Sequence, residues 1–232
     1  MDFPTPLLRG TLLTRYKRFL ADVTLETGEK VTAHVANTGS MTGLNYAGME
    51  VWLSIADNPK RKLKYSWELV RDGEGLVGIN TMHPNKLVVE AINSSTISEL
   101  TGYSGLRREV RYGKNSRIDI LLTGHDRPDC YIEVKNVTLK RGNKAEFPDA
   151  VTTRGTKHLG ELSEMVRAGS RAVMVYLVQR EDCAIFSIAA DIDPVYADAL
   201  AKALRQGVEV ICYACRLTPD QIVVDLPLAT NL

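Results

Sequence analysis

The 232-residue sequence has no run of about 18 apolar residues, the length a bilayer-spanning helix needs, so no transmembrane helix and no membrane partner are expected. Its first ten residues, MDFPTPLLRG, lack the basic start and apolar core of a secretory signal, which makes a cytoplasmic location the expectation. Cysteine is scarce, at four residues, and in a reducing compartment these are free thiols rather than a disulfide framework. Cys212 and Cys215 form a lone CxxC with no second pair. On a strand they point to opposite faces, so zinc is not expected. Net charge is only +1, and bulk charge therefore does not advertise a polyanion partner. Internal repeats and low-complexity tracts are absent as well. What remains is an ordinary globular composition, 44% hydrophobic and 25% charged, on a chain long enough for one large or two small domains.

Residues 7 to 80 read as all-β. RFLADVTLE alternates apolar Phe19, Ala21, Val23 and Leu25 with polar or smaller neighbours, and a TG turn leads into EKVTAHVA. EVWLSIA, YSWELV and GLVGIN follow as further short strands, and about five such strands without a helix fit a small OB-type barrel. The pattern then changes. PNKLVVEAINSS reads as a helix with Leu87, Val88 and Ile92 inward, followed by the strand candidates LRREVRYG, SRIDILLT and CYIEVKNV. TTRGTKHLGELSEMVRAG is an amphipathic helix stopped by Gly169, and RAVMVYLVQ is a continuous apolar run, as a doubly covered central strand should be. A strand, a helix of this length and a second such strand make a βαβ crossover. DPVYADALAKALRQG and VEVICYAC add another helix and strand, giving an α/β region with a mixed sheet.

The chemistry concentrates in RIDILLTGHDRPDCYIEVKN, residues 117 to 136, where a hairpin of apolar strands carries Asp119, Glu133 and Lys135. Desolvating a lone charge costs several kcal/mol, so these three need partners. Strand periodicity puts Glu133 and Lys135 on one face, and pairing across the TGHDRPD turn can bring Asp119 beside Glu133. Two adjacent carboxylates repel unless a cation sits between them, and such oxygen ligands suit Mg²⁺ or Mn²⁺. An ammonium two residues beyond can offset charge building on a phosphoryl oxygen. This is a constellation for cutting phosphodiesters; the competing reading is a three-member salt-bridge network.

Basic residues bunch despite the small net charge: Arg15, Lys17 and Arg18; Lys60, Arg61, Lys62 and Lys64; and Arg107, Arg108, Arg111, Lys114 and Arg117. Any one cluster is either a solvated face or one wall of a polyanion site. In KRKLKYSW the basic side chains interleave with Tyr65 and Trp67, which suits either aromatic platforms for bases or a strand with Trp67 in the core. NTGSM, Asn37 to Met41, is a small-residue loop whose amides can approach a phosphate, or simply a turn. Arg154, Lys157 and His158 fall at i, i+3 and i+4 on one side of a first helical turn, where positive charge opposes the helix dipole unless a phosphate is the neighbour.

An Asp and an ExK on consecutive strands before a crossover helix resemble the core of the PD-(D/E)XK nuclease superfamily. RYKRFLADV, ANTGSMTGL, NPKRKLKYSWELV, NSRIDILL, YIEVKNVTL, FPDAVTTRGTKHL and GVEVICYACRL together resemble the sugar fermentation stimulation protein A family, over essentially the whole chain. The resemblance implies an OB-like domain over residues 1 to 80 and a restriction-endonuclease-like, mixed-sheet domain over residues 81 to 232. It also implies DNA binding and a link to regulation of sugar (maltose) metabolism. It matches Asp119, Glu133 and Lys135 to the superfamily's catalytic set and offers Glu90 as the additional helix carboxylate and metal ligand. Ile118 stands where the superfamily's pattern has Pro. Two functions stay open: a Mg²⁺- or Mn²⁺-dependent DNA nuclease of little sequence specificity, and a regulatory binding module without catalysis. A sugar-modifying enzyme lacks an aromatic-rich pocket signature here. Oligomeric state is open too, a homodimer being one option.

Overall fold

The structure, a computed structural model, describes residues 1–58, 60–113 and 116–232; Lys114 of the third basic cluster lies outside them. The chain begins with six strands, β1 (Leu8–Tyr16), β2 (Leu20–Leu25), β3 (Lys30–His34), β4 (Glu50–Ile55), β5 (Tyr65–Asp72) and β6 (Gly75–Gly78), in the sheet order β3-β2-β1-β4-β5-β6. A parallel pairing of β3 with β5, Ala33 to Tyr65 and His34 to Ser66, closes the first five into an OB barrel. Alternation drives this: Ala21, Val23, Val31 and Ala33 point inward against Leu12, Leu53 and Trp67. One detail departs from the sequence reading and one open alternative is decided. Phe19 does not continue the inward row; it ends the three-residue turn between β1 and β2 and is 44% exposed. Trp67 is fully buried with its indole N–H donating to the Leu69 carbonyl at 2.8 Å, so it fills the barrel and is no platform for bases.

The second region follows the order α1 (Pro84–Asn93), β7 (Gly105–Tyr112), β8 (Ser116–Thr123), β9 (Cys130–Val137), β10 (Leu139–Arg141), β11 (Lys144–Phe147), α2 (Thr153–Arg167), β12 (Arg171–Val178), β13 (Ile185–Ile188), α3 (Pro194–Arg205), β14 (Glu209–Leu217), β15 (Ile222–Pro227) and β16 (Ala229–Asn231). Its main sheet runs β15-β14-β12-β9-β8-β7, with β9, β12 and β14 parallel and the rest antiparallel. The expected crossover is therefore present, β9 to β12 by way of α2. Both faces of β12 are covered: Val173, Val175 and Leu177 pack on the α1 side, and Met174, Tyr176 and Val178 on the α2 and α3 side. Cys212 and Cys215 divide between the same two cores, as the strand period requires, and burial pushes both thiols up. A small second sheet, β10-β11-β13-β16, was not legible in the sequence, because strands of three or four residues carry too little alternation. Among the described residues no helix is long and apolar enough to cross a membrane.

Candidate functional site

The charged hairpin opens where the sequence placed it. The β8–β9 ladder pairs Ile120 with Ile132, and one step further would set Asp119 against Glu133. There the strands part. Asp119 Oδ2 instead accepts the Val134 amide at 2.8 Å, and Oδ1 accepts Asn85 Nδ2 from the first turn of α1 at 2.8 Å. Asn85 is held in place because the helix entry is anchored on the barrel: buried Glu68 of β5 accepts from Asn80 and pairs with His83, each at 2.7 Å.

Glu133 is only 3% exposed. Its Oε1 takes Lys135 Nζ at 2.7 Å and also the Nδ1 of buried His158. His158 Nε2 accepts from Arg154 Nε at 3.3 Å, a pattern that a neutral imidazole protonated on Nδ1 satisfies. Glu133 Oε2 is buried with no hydrogen-bond partner among the described residues. The two carboxyls respond oppositely to this setting. Burial, and then the Glu133 charge, raise Asp119 above its ordinary range. Burial also works against ionised Glu133, but the His158 hydrogen bond and the Lys135 charge carry it below. The Tyr112 hydroxyl, buried and without a partner among the described residues, is pushed up by burial and then by Glu133, Glu161 and Asp119.

These groups line a cleft of about 410 Å³ between the barrel and the second region. Asn37, Thr38 and Gly39 form the barrel wall, and Asn85, Asp119, Glu133, Lys135 and Arg154 the other. The NTGSM loop reaches across to Asp149: Met41 N–H donates to Asp149 Oδ2 at 3.1 Å and Ser40 Oγ to the Asp149 carbonyl at 2.8 Å. A Cβ at Gly39 would lie 2.6 Å from that carboxylate, so any larger residue would displace the Asp149 side chain. The loop's Met41 amide therefore serves an internal carboxylate.

Several candidates take other positions than the sequence suggested. Glu90 does not reach the cleft; it pairs with the Met1 amine at 2.8 Å. Five residues along a helix is about 140° past a full turn, so Asn85 and Glu90 of α1 cannot both face Asp119. Asn85 does. His158 is buried against Glu133 rather than presented to a phosphate, and Lys157 donates to Ser116 Oγ at 3.0 Å and pairs with Glu161 at 3.5 Å. Arg15 spends its terminal nitrogens on the carbonyls of Arg18, Asn37, Gly39 and Ser40, shaping the loop. Lys17, Arg18, Lys60, Arg61, Lys62 and Lys64 remain exposed, with Lys64 over the Tyr65 ring at 5.3 Å. Sequence reasoning missed Asn85, Asp149 and Glu109. The last sits beside Asp119 on the neighbouring strand, at positive φ, with Asn85 Nδ2 3.5 Å from it.

Comparison with known proteins agrees with this architecture. The chain matches the sugar fermentation stimulation protein RE domain over residues 82–221 and the SfsA N-terminal OB domain over residues 13–79. The sugar fermentation stimulation protein homolog of Paramagnetospirillum magneticum is 63% identical over 232 residues, covering 100% of this chain and 98% of its own. That of Maricaulis maris is 56% identical over 233 residues, covering 100% and 99%. The solved structure of Pyrococcus furiosus SfsA in complex with Ca²⁺ is similar with a TM-score of 0.91 at 26% identity, over 100% of this chain and 98% of that one. The chain belongs to the sugar fermentation stimulation protein family.

Proposed function

We propose that this member of the family is a nucleic-acid-binding protein whose cleft is a divalent-metal, nuclease-type site, with Asp119 and Glu133 as ligands and Lys135 as the ammonium beside the reacting phosphate. In this reading residues 1–80 grip DNA and residues 81–232 carry the chemistry, in the cytoplasm and in the service of sugar (maltose) regulation. One observation carries the metal assignment: Glu133 Oε2 is buried without a partner beside a second carboxyl that its charge perturbs. Among the described residues no three His, Cys, Asp or Glu side chains form a complete cage. Two carboxylates with room for water are instead the donor set of Mg²⁺ or Mn²⁺, which keep several waters. The Ca²⁺ in the Pyrococcus furiosus relative supports a hard, oxygen-seeking ion.

Bound there, such an ion lowers the pKa of a water and offsets negative charge on a phosphoryl oxygen. The chain supplies the rest. Lys135 and His158 occupy Oε1 and so leave Oε2 for the cleft. Asn85 and the Val134 amide orient Asp119, and Arg154 in the cleft wall offers a guanidinium for a phosphate. OB barrels hold oligonucleotides with the loops joining strands 1 to 2 and 4 to 5. Here those loops carry Lys17 and Arg18, and Lys60, Arg61, Lys62 and Lys64.

A second reading has its own support. Lys135 already pairs with Glu133 at 2.7 Å, as it would in a purely structural network inside a binding module. Incubation with plasmid and linear DNA, with and without Mn²⁺ or Mg²⁺, separates the two. Lys135→Ala is expected to keep the metal-induced rise in melting temperature and to abolish cleavage. Reversing Lys60, Arg61 and Lys62 to Glu should weaken binding to all sequences alike and flatten its salt dependence. If neither ion shifts melting or promotes cleavage in the parent protein, the binding module is the correct reading.

A further inference from the structure

The barrel rim beside the cleft exposes aromatic side chains that the fold has no use for. Phe19 is 44% exposed and Tyr46 64% exposed. Both are tied to the loop that walls the cleft. Arg15 joins the Arg18 carbonyl, next to Phe19, to the carbonyls of Asn37, Gly39 and Ser40, and Asn45 Nδ2, next to Tyr46, donates to the Ser40 carbonyl at 3.1 Å. Continuity with the cleft follows from these bonds. The turn that presents Phe19 is itself unusual: Lys17 and Arg18 both sit at positive φ, 48° and 64°, where hairpin turns favour Asn or Gly. Two basic residues are thus kept in backbone conformations that suit neither, and among the described residues no carboxylate pairs with either.

We propose that Phe19 and Tyr46 are stacking platforms for unpaired bases of a single-stranded nucleic acid, whose phosphates meet Lys17 and Arg18 on the way into the cleft. This rests on the nucleic-acid reading above and names the form of the substrate. Alternating cations and flat apolar faces on an OB barrel are the arrangement that tracks a single strand, because every base has a face to stack while a duplex hides its bases. Trp52 and Trp67 are buried and take no part, so the rim is the site of the aromatic contact.

Binding of oligo(dT) and of a hairpin duplex of equal charge, each followed by fluorescence anisotropy in EDTA, tests this. Phe19→Ala and Tyr46→Ala should each weaken oligo(dT) binding about tenfold, the scale of one lost base stack, and leave duplex binding unchanged. Tyr46→Trp should retain affinity and show indole quenching on binding, since the two native indoles lie in the cores. Both exposed side chains can be truncated without opening a cavity, and an unchanged Mn²⁺ stabilisation would confirm that the fold is intact. Equal loss for strand and duplex, or no loss, overturns the platform while leaving the nucleic-acid reading in place. Self-association of the parent that either alanine abolishes would assign the rim to a second copy and overturn it too. If the parent binds neither probe, the nucleic-acid reading itself falls.

Discussion

Asp119→Asn removes one negative charge from a place where burial and Glu133 hold the carboxyl above its ordinary range, while keeping the side chain's shape. The hydrogen bonds can survive. The new amide oxygen accepts the Val134 N–H, and its NH₂ donates to Asn85 once that amide flips. A carboxyl with a raised folded pKa binds more protons in the native state between its ordinary value of 3.8 and the raised one. Stability therefore falls as pH rises through that window, and the penalty is fully present above it. Each unit of elevation is worth about 1.4 kcal/mol, and for a chain of this size 1 kcal/mol moves Tm by roughly 2–4 °C. Metal-free Asp119→Asn should accordingly melt higher than the parent at neutral pH, with the gap closing as pH drops below the window. Mn²⁺ at tenfold excess over Kd should raise the parent by about 1.4 kcal/mol and leave the variant where it was. Differential scanning calorimetry across pH, with Mn²⁺ and with EDTA, reads all of these. A variant less stable than the parent at neutral pH, with no Mn²⁺ effect on either, would refute the argument and make Asp119 a plain partner of its two donors.

Glu90→Gln should lower stability by less than about 1 kcal/mol, because the lost partner is the Met1 amine at a half-exposed site, and should leave the Mn²⁺ shift intact; a lost shift in the same calorimetry would restore Glu90 as a ligand. Asp149→Ala strands the Met41 N–H, while the Ser40 hydroxyl keeps the residue-149 carbonyl, at a cost of about 1–3 kcal/mol, so hydrogen exchange at Met41 should accelerate. Unchanged protection there would mean that Arg15 alone holds the loop.

The hairpin was legible because the strand period alone puts Glu133 and Lys135 on one face, and because apolar runs on either side leave those charges conspicuous. The crossover was legible for the same reason, in the length and amphipathicity of α2 and the unbroken apolar run of β12. Asn85 and Asp149 were not, since each enters the cleft from a segment whose approach depends on the Glu68 anchor or the NTGSM loop. His158 gave a signal that basic clustering masked: it stands next to Leu159 and one turn before Leu162, on the buried side of α2. Phe19 misled by alternation, because a strand's parity ends at its turn and Lys17 and Arg18 reverse the chain just before it.

The seam between the two regions bears on what the cleft can admit. Val77 bridges to Arg180, and the Gly78 amide donates to the Gln179 carbonyl at 2.9 Å, where a Cβ at Gly78 would displace the Gln179 side chain. Arg180 is 1% exposed and places its guanidinium on Asp72 of the barrel at 2.7 Å, on Asp182 at 2.6 Å and on the Thr138 carbonyl at 2.9 Å. Swinging the barrel away would part this buried cation from Asp72 and leave it on Asp182 and the Thr138 carbonyl. The seam therefore ties the barrel to the second region through a buried cation and a backbone hydrogen bond. In the nucleic-acid reading proposed above, a strand whose bases can turn aside onto the rim would enter this cleft more easily than a duplex that must stay stacked.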